Sequence, residues 1–239
     1  MRNLLCLIAI AFLISGCSKP DAQTIVDKSI AFYNMERLEN ATLKFNFRKF
    51  HFTVMQKEGK FRYERMFTDS TGNVHDILSN NGFKRLLNGK EVKLDSEQSG
   101  KYSQSVNSVV YFVYLPLKLN DASVIKKYLG QTKINKKSYH KLEVTFAQKD
   151  GGEDYADVYY YWFDIEDYSM DHFAYSTGGN RFRDVLKSQK IAGVTFQDYI
   201  NYQSPPGDSL TPLIKYDSLF SNKKLDELSR IELKNIELN

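Results

Sequence analysis

The chain has 239 residues, 42% of them hydrophobic and 26% charged, with a formal net charge of +4. That length suits one large domain better than two, and such a chain can bury roughly 70% of its unfolded surface without a disulfide or structural metal. The composition is unlike that of a disordered chain, and the basic residues form no block, so no nucleic-acid partner is expected.

The first element is an address. Arg2 precedes an apolar run at 4–14, and small Ser15 and Gly16 follow it. A bilayer-spanning helix needs about 20 residues, so residues 1–16 read as a secretory signal peptide. Its end, Leu13-Ile14-Ser15-Gly16-Cys17, closely resembles the lipobox of bacterial lipoproteins. The resemblance implies cleavage before Cys17 and acylation of that residue, and Cys6 leaves with the signal. Lipidation then accounts for the single thiol of an exported chain, and more than one acyl chain gives stable anchoring. The expected organisation is a lipidated tether at 17–21 and a single domain at 22–239, held to the membrane of a Gram-negative envelope through acylated Cys17. By analogy with a known sorting rule, Ser18 favours the outer membrane.

Asp21 can cap a helix over 22–38, whose apolar stripe is Ala22, Ile25, Val26, Ser29, Ile30 and Tyr33. Residues 41–47 alternate as a strand with Leu43, Phe45 and Phe47 inward. Phe50, Phe52 and Val54 continue on the opposite parity, so a bulge is expected at Arg48-Lys49. Strands follow at 60–67 and 74–78. Asn88-Gly89 between 83–87 and 90–94 marks a tight hairpin. The rhythm then breaks. Tyr102, Val106, Val109, Val110 and Val113 fit a helix over 99–115 that ends before Pro116 and is capped by Ser99 or Ser103, although the same valines also suit a strand.

From 126 onward the strand pattern returns. Residues 141–148 alternate cleanly, with Leu142, Val144 and Phe146 on one face. Residues 157–165 are aromatic on both faces, which implies that both are covered or that one lines a cavity. Strands at 169–177, from Arg181, and at 194–202 complete an antiparallel meander joined by short polar turns. Residues 204–212 read as a loop and 225–238 as a last strand or two.

The element order resembles that of the LolA/LolB/RseB-like group, and the lipobox resembles that of LolB. Residues 111–121 (YFVYLPLKLND), 139–148 (YHKLEVTFAQ), 159–163 (YYYWF) and 181–184 (RFRD) look like an uncharacterised family of bacterial lipoproteins near that group. The resemblance implies a mainly β (α+β) fold: a curved antiparallel sheet or incomplete barrel, with an N-terminal helix and a mid-chain covering helix. It further implies a cavity for a lipid or a lipoprotein acyl chain. Strand parity then nominates Val144, Phe146, Tyr160 and Trp162 from the sheet, and Val109, Phe112 and Val113 from the covering helix.

No catalytic motif is present: there is no G-x-S-x-G, P-loop or HExxH, and none of the four histidines sits at metal-ligand spacing. No cofactor or metal is expected. Glu153, Asp154 and Asp157 read as an acidic hairpin loop, with a Ca²⁺ loop as the alternative. Arg181 and Arg183 after Gly178-Gly179 are candidates for holding an anion. Two readings follow. One is an envelope carrier or sensor with a hydrophobic-ligand site. The other is a non-catalytic scaffold or polysaccharide-binding accessory protein that uses exposed Tyr and Trp as stacking platforms.

Overall fold

The computed structural model describes residues 20–149, 156–205 and 211–239. Cys17 and the lipobox lie outside the described residues, as do Glu153 and Asp154. Helix α1 (Ala22–Tyr33) begins where Asp21 accepts from the Thr24 amide at 2.8 Å, and it buries the expected stripe from Ala22 to Tyr33. It stops at Tyr33 rather than at 38. Asn34 turns left-handed at φ 56°, its amide closes on the Ala31 and Ile30 carbonyls, and Met35–Asn40 tightens into a 3-10 turn.

Six strands follow in order: β1 (Thr42–Phe47), β2 (Phe50–Lys57), β3 (Lys60–Asp69), β4 (Gly72–Ser79), β5 (Gly82–Leu87) and the short β6 (Lys90–Glu91). The expected bulge at Arg48-Lys49 is instead the two-residue turn of the β1–β2 hairpin. Phe47 pairs with Phe50, Phe45 with Phe52 and Leu43 with Val54. The apparent parity change is therefore a reversal of the chain, which puts Phe45 and Phe52 on one face with ring centroids 5.0 Å apart. Arg48 takes φ 55° without being Gly or Asn, so no turn signal announced it. At Asn88-Gly89, φ values of 50° and 81° give the positive-φ pair of a tight hairpin, as expected.

Helix α2 (Ser96–Val113) starts three residues before the expected Ser99, capped by Asp95 through the Gln98 amide at 2.7 Å. The second half of the chain supplies β7 (Val124–Ile134), β8 (Lys137–Phe146), β9 (Tyr159–Asp164), β10 (Met170–Tyr175), β11 (Arg181–Ile191) and β12 (Val194–Gln203). The short α3 (Tyr216–Ser221) then precedes β13 (Asp226–Ile231) and β14 (Leu233–Leu238). All ladders are antiparallel. The strands form two seven-stranded sheets, ordered β14-β1-β2-β3-β4-β5-β6 and β13-β12-β11-β10-β9-β8-β7.

The two sheets meet at a seam. β13 closes one and β14 opens the other, with only Glu232 between them. Leu233, the first residue past the crossing, keeps its backbone satisfied through side chains of the other sheet. Its amide donates to Asp198 Oδ1 at 2.8 Å, and its carbonyl accepts from Gln189 Nε2 at 3.1 Å. Asp198, fully buried, also accepts from Gln189 at 3.1 Å and lies 3.3 Å from Lys187 Nζ. A strand end left unpaired here would cost the desolvation of a buried amide, and Asp198 removes that cost.

The main core fills the space between the sheets, with α1 and α2 contributing Ile25, Val26, Ile30, Val106 and Val110. α2 meets the first sheet through polar contacts. Arg65 on β3 bonds Asp76 on β4 and, through Nη1, Ser105 at 2.7 Å, while Arg85 on β5 bonds Asp76 and lies 3.4 Å over the Tyr102 ring. Both faces of β9 are buried, as its two-sided aromatic pattern implied. Its second face lies under the segment 213–221, which sequence reading left unassigned.

Replacing Asp198 with Ala is expected to lower the unfolding free energy by about 2–4 kcal/mol in urea titrations and to speed hydrogen exchange of the Leu233 amide. The exposed Asp226→Ala should change stability by less than about 0.5 kcal/mol. Equal costs for the two variants would mean that Asp198 does not hold the seam.

Candidate functional site: a cavity at the seam

A cavity of about 240 Å³ lies between α2 and the second sheet, against the seam. One wall is the α2 face formed by Val109, Phe112 and Val113, three residues at helical spacing. The facing wall is Tyr175 on β10, Arg183 on β11, and Tyr199 and Asn201 on β12. Ile231 and Leu233 floor it where the chain crosses between sheets, and Phe47 and Arg48 of the β1–β2 turn, with Ser108 and Gln197, complete the lining. α2 presents these residues because Val106 and Val110, the adjacent stripe, are fully buried in the core and fix the rotation of the helix.

Val109, Phe112 and Val113, nominated from sequence, thus line one cavity. Val144 faces the same side of the sheet but is wholly buried in the core. Phe146 lines a smaller recess of about 110 Å³ beside it, with Tyr111, Tyr159 and Phe112, so Phe112 stands between the two spaces. Tyr160 and Trp162 do not join them. The β8–β9 register pairs Val144 with Tyr159 and Glu143 with Tyr160, so Tyr160 and Trp162 share the face of Glu143 and Lys141. That face is covered by α3. The Trp162 indole N–H donates to Asp217 at 3.2 Å, Lys141 Nζ lies 2.7 Å from the same carboxylate, and Phe220 stacks 4.8 Å from Phe182. A buried indole needs a hydrogen-bond acceptor, and Asp217 is that acceptor. Parity counting failed because both faces of β9 carry aromatics, and only the register distinguishes them. Trp162 is therefore no exposed stacking platform.

The two arginines nominated for an anion part company. Arg181 turns back on its own loop, donating to the Asn180 carbonyl at 2.9 Å and the Gly178 carbonyl at 3.2 Å. Arg183 is 7% exposed and faces the cavity. Its guanidinium lies 4.1 Å from the Phe112 ring centroid and about as close to Tyr175 and Phe173, at 5.0 and 5.1 Å. Nη2 donates to the Tyr175 hydroxyl at 2.9 Å, and Nε has no partner among the described residues. The carboxylates of the adjoining positions are engaged elsewhere, Asp184 with His172 and Asp198 with Lys187 and the seam. Burial pushes the Tyr199 hydroxyl well above its ordinary range, with Arg183 pulling the other way. Tyr199 is therefore neutral and supplies no counter-charge. Of the other lining groups, Asn201 Oδ1 is likewise buried without a partner among the described residues. Asn201, Tyr175 and Tyr199 were not singled out by the sequence. Their signal is their pairing with the Arg183 strand, which only the register reveals.

A curved, incompletely closed pair of antiparallel sheets with helices on the inner side is the architecture of LolA-like proteins. The structure is similar to the LolA superfamily protein NE2245 from Nitrosomonas europaea, with a TM-score of 0.52 and 11% identity over 92% of this chain and 94% of that one. It is similar also to a DUF1329 family protein from Desulfovibrio piger, with a TM-score of 0.51 and 9% identity over 92% of this chain and 93% of that one. At those identities the likeness is one of fold. No curated protein matches the sequence. The chain itself belongs to the family described as Family of unknown function (DUF6503), whose model matches residues 2–233.

A buried cation without a counter-ion is a stability burden, and exchanging buried ionic groups for apolar ones of similar volume is often neutral or stabilising by about 1–4 kcal/mol. Arg183→Met is therefore expected to keep or raise the urea midpoint of the ligand-free protein. A loss of about 2 kcal/mol or more would assign Arg183 a structural role instead.

Proposed function

We propose that this protein is a lipid-anchored envelope lipoprotein whose domain holds the hydrocarbon chain of a lipid or lipoprotein, as a carrier or sensor rather than a catalyst. The observation that carries the reading is the cavity between α2 and the second sheet, with Val109, Phe112 and Val113 on one wall and Ile231 and Leu233 as its floor. Apolar walls with a few placed polar groups are the usual make-up of a small-molecule site. The LolA-like fold supports the reading. So does the lipobox at 13–17, which would remove residues 1–16, acylate Cys17 and leave residues 17–21 as a tether, with Ser18 favouring the outer membrane.

Size bounds the cargo. Sites that enclose a whole drug-sized ligand run to about 300–1,000 Å³. At about 240 Å³ the cavity accepts one chain, or the end of one. Holding the several acyl chains of a mature lipoprotein would require α2 to move off the second sheet. Its contacts with the first sheet run through Arg65, Arg85 and Ser105, and these polar contacts would keep it attached there.

The test is uptake of a fluorescent polyene fatty acid by the wild-type protein and by Val109→Trp, which fills the cavity from the helix side. Binding by the wild type, weakened about tenfold or more in the variant with unchanged circular dichroism, is the expected result. No uptake by the wild type would overturn the proposal.

A further inference from the structure

Arg183 sits in a place where a folded chain would be expected to neutralise it. Its direct cross-strand partner on β12 is Asn201. Side chains in such a pair have Cβ atoms about 4.5–5.5 Å apart, close enough for an arginine and a carboxylate to meet. Asn is the uncharged isostere of the Asp that would make an internal ion pair. Instead Asn201 is 93% buried with Oδ1 unpartnered, and Arg183 is equally buried with Nε unpartnered, among the described residues. Both line the same cavity, whose lining holds a second arginine, the exposed Arg48, and no carboxylate. Three aromatic rings around Arg183 attract its charge, and the Tyr175 hydroxyl accepts one hydrogen bond from Nη2, but none of them supplies a counter-charge.

We infer that the missing counter-ion is the ligand's own, and that the cavity selects a single-chain amphiphile with an anionic oxygen head, a carboxylate or a phosphate. The inference rests on the reading of the cavity as a hydrocarbon site and adds the head group. The chain lies along Val109, Val113 and the seam, and the head meets the Arg183 guanidinium through Nη1, the nitrogen that is neither buried unpartnered nor bonded to Tyr175. Asn201, whose buried atom is Oδ1, offers its amide NH₂ as a second donor without rotating. Arg48 at the rim adds a longer-range attraction that salt screens, whereas the buried contact at Arg183 is screened much less.

Isothermal titration of the protein with decanoate, decyl phosphate, decanol and decyltrimethylammonium, each below its micelle concentration, separates head from chain. The expected result is that at least one anion binds about tenfold tighter than decanol, while the cation binds no tighter than decanol. Tighter decyl phosphate would indicate a lipid phosphate as the source, and tighter decanoate a free fatty acid. Arg183→Met should retain decanol and lose the anion preference. Asn201→Asp, which supplies the internal carboxylate at unchanged shape, should lose it too, so a failure of the first variant to fold does not protect the inference. Equal binding of anions and decanol by the wild type, or a preference that survives in a folded variant, overturns the head-group assignment and leaves the hydrocarbon site standing. If decanol and all three charged probes fail to bind, the hydrocarbon reading falls with it.

Discussion

The whole arrangement depends on how one short stretch of backbone passes from sheet to sheet. A strand that leaves a sheet exposes amides and carbonyls that must be satisfied elsewhere, and the usual answer is a loop in water. Here Glu232 alone separates β13 from β14, and Leu233, the first residue past the crossing, is buried. Asp198 and Gln189 make that possible by taking the Leu233 amide and carbonyl into the other sheet's side-chain network. Because the crossing is held, the two sheets act as one curved surface with α2 between them. The cavity forms where that surface turns, and Ile231 and Leu233 on either side of the crossing are its floor.

The polar and apolar halves of the inner surface are divided in a way that bears on function. Toward the first sheet, α2 rests on Arg65, Asp76 and Arg85, a buried cluster in which two guanidiniums share one carboxylate. Toward the second sheet it presents valines and Phe112 to the seam cavity. The charges on the first side are paired and hydrogen-bonded, which makes their burial tolerable. Arg183, on the second side, has one hydrogen bond, to the Tyr175 hydroxyl, and no carboxylate partner among the described residues. The same principle that explains the first cluster as structure sets Arg183 apart from it.

Much of the fold could be read from the residues. The α1 stripe and its Asp21 cap, the Asn88-Gly89 hairpin, the mid-chain helix and the antiparallel meander all follow from periodicity and turn chemistry. What could not be read has physical reasons. Arg48 adopts a left-handed turn without Gly or Asn, so a reversal looked like a bulge. α3 has six residues, too few to show a helical period, so the cover over Trp162 and Phe182 was unseen. Without that cover the two aromatic faces of β9 are equivalent in the sequence, and only the register puts Tyr160 and Trp162 on the α3 side. The helix side of the cavity follows from the resemblance, which implies a covering helix with Val109, Phe112 and Val113 toward the ligand; the structure puts these three along the cavity wall. The significance of Arg183 needed the register that sets it opposite Asn201.

The most direct test of the account is to see where a hydrocarbon chain sits. A crystal structure of the protein grown with a terminally brominated decanoate would locate the chain end by the anomalous signal of bromine. The account predicts a bromine peak between Phe112 and the Ile231–Leu233 floor, with the carboxylate at Arg183. A chain bound on the opposite face of the sheet, beside Trp162 under α3, or a fully occupied ligand that leaves the seam cavity empty, would contradict it.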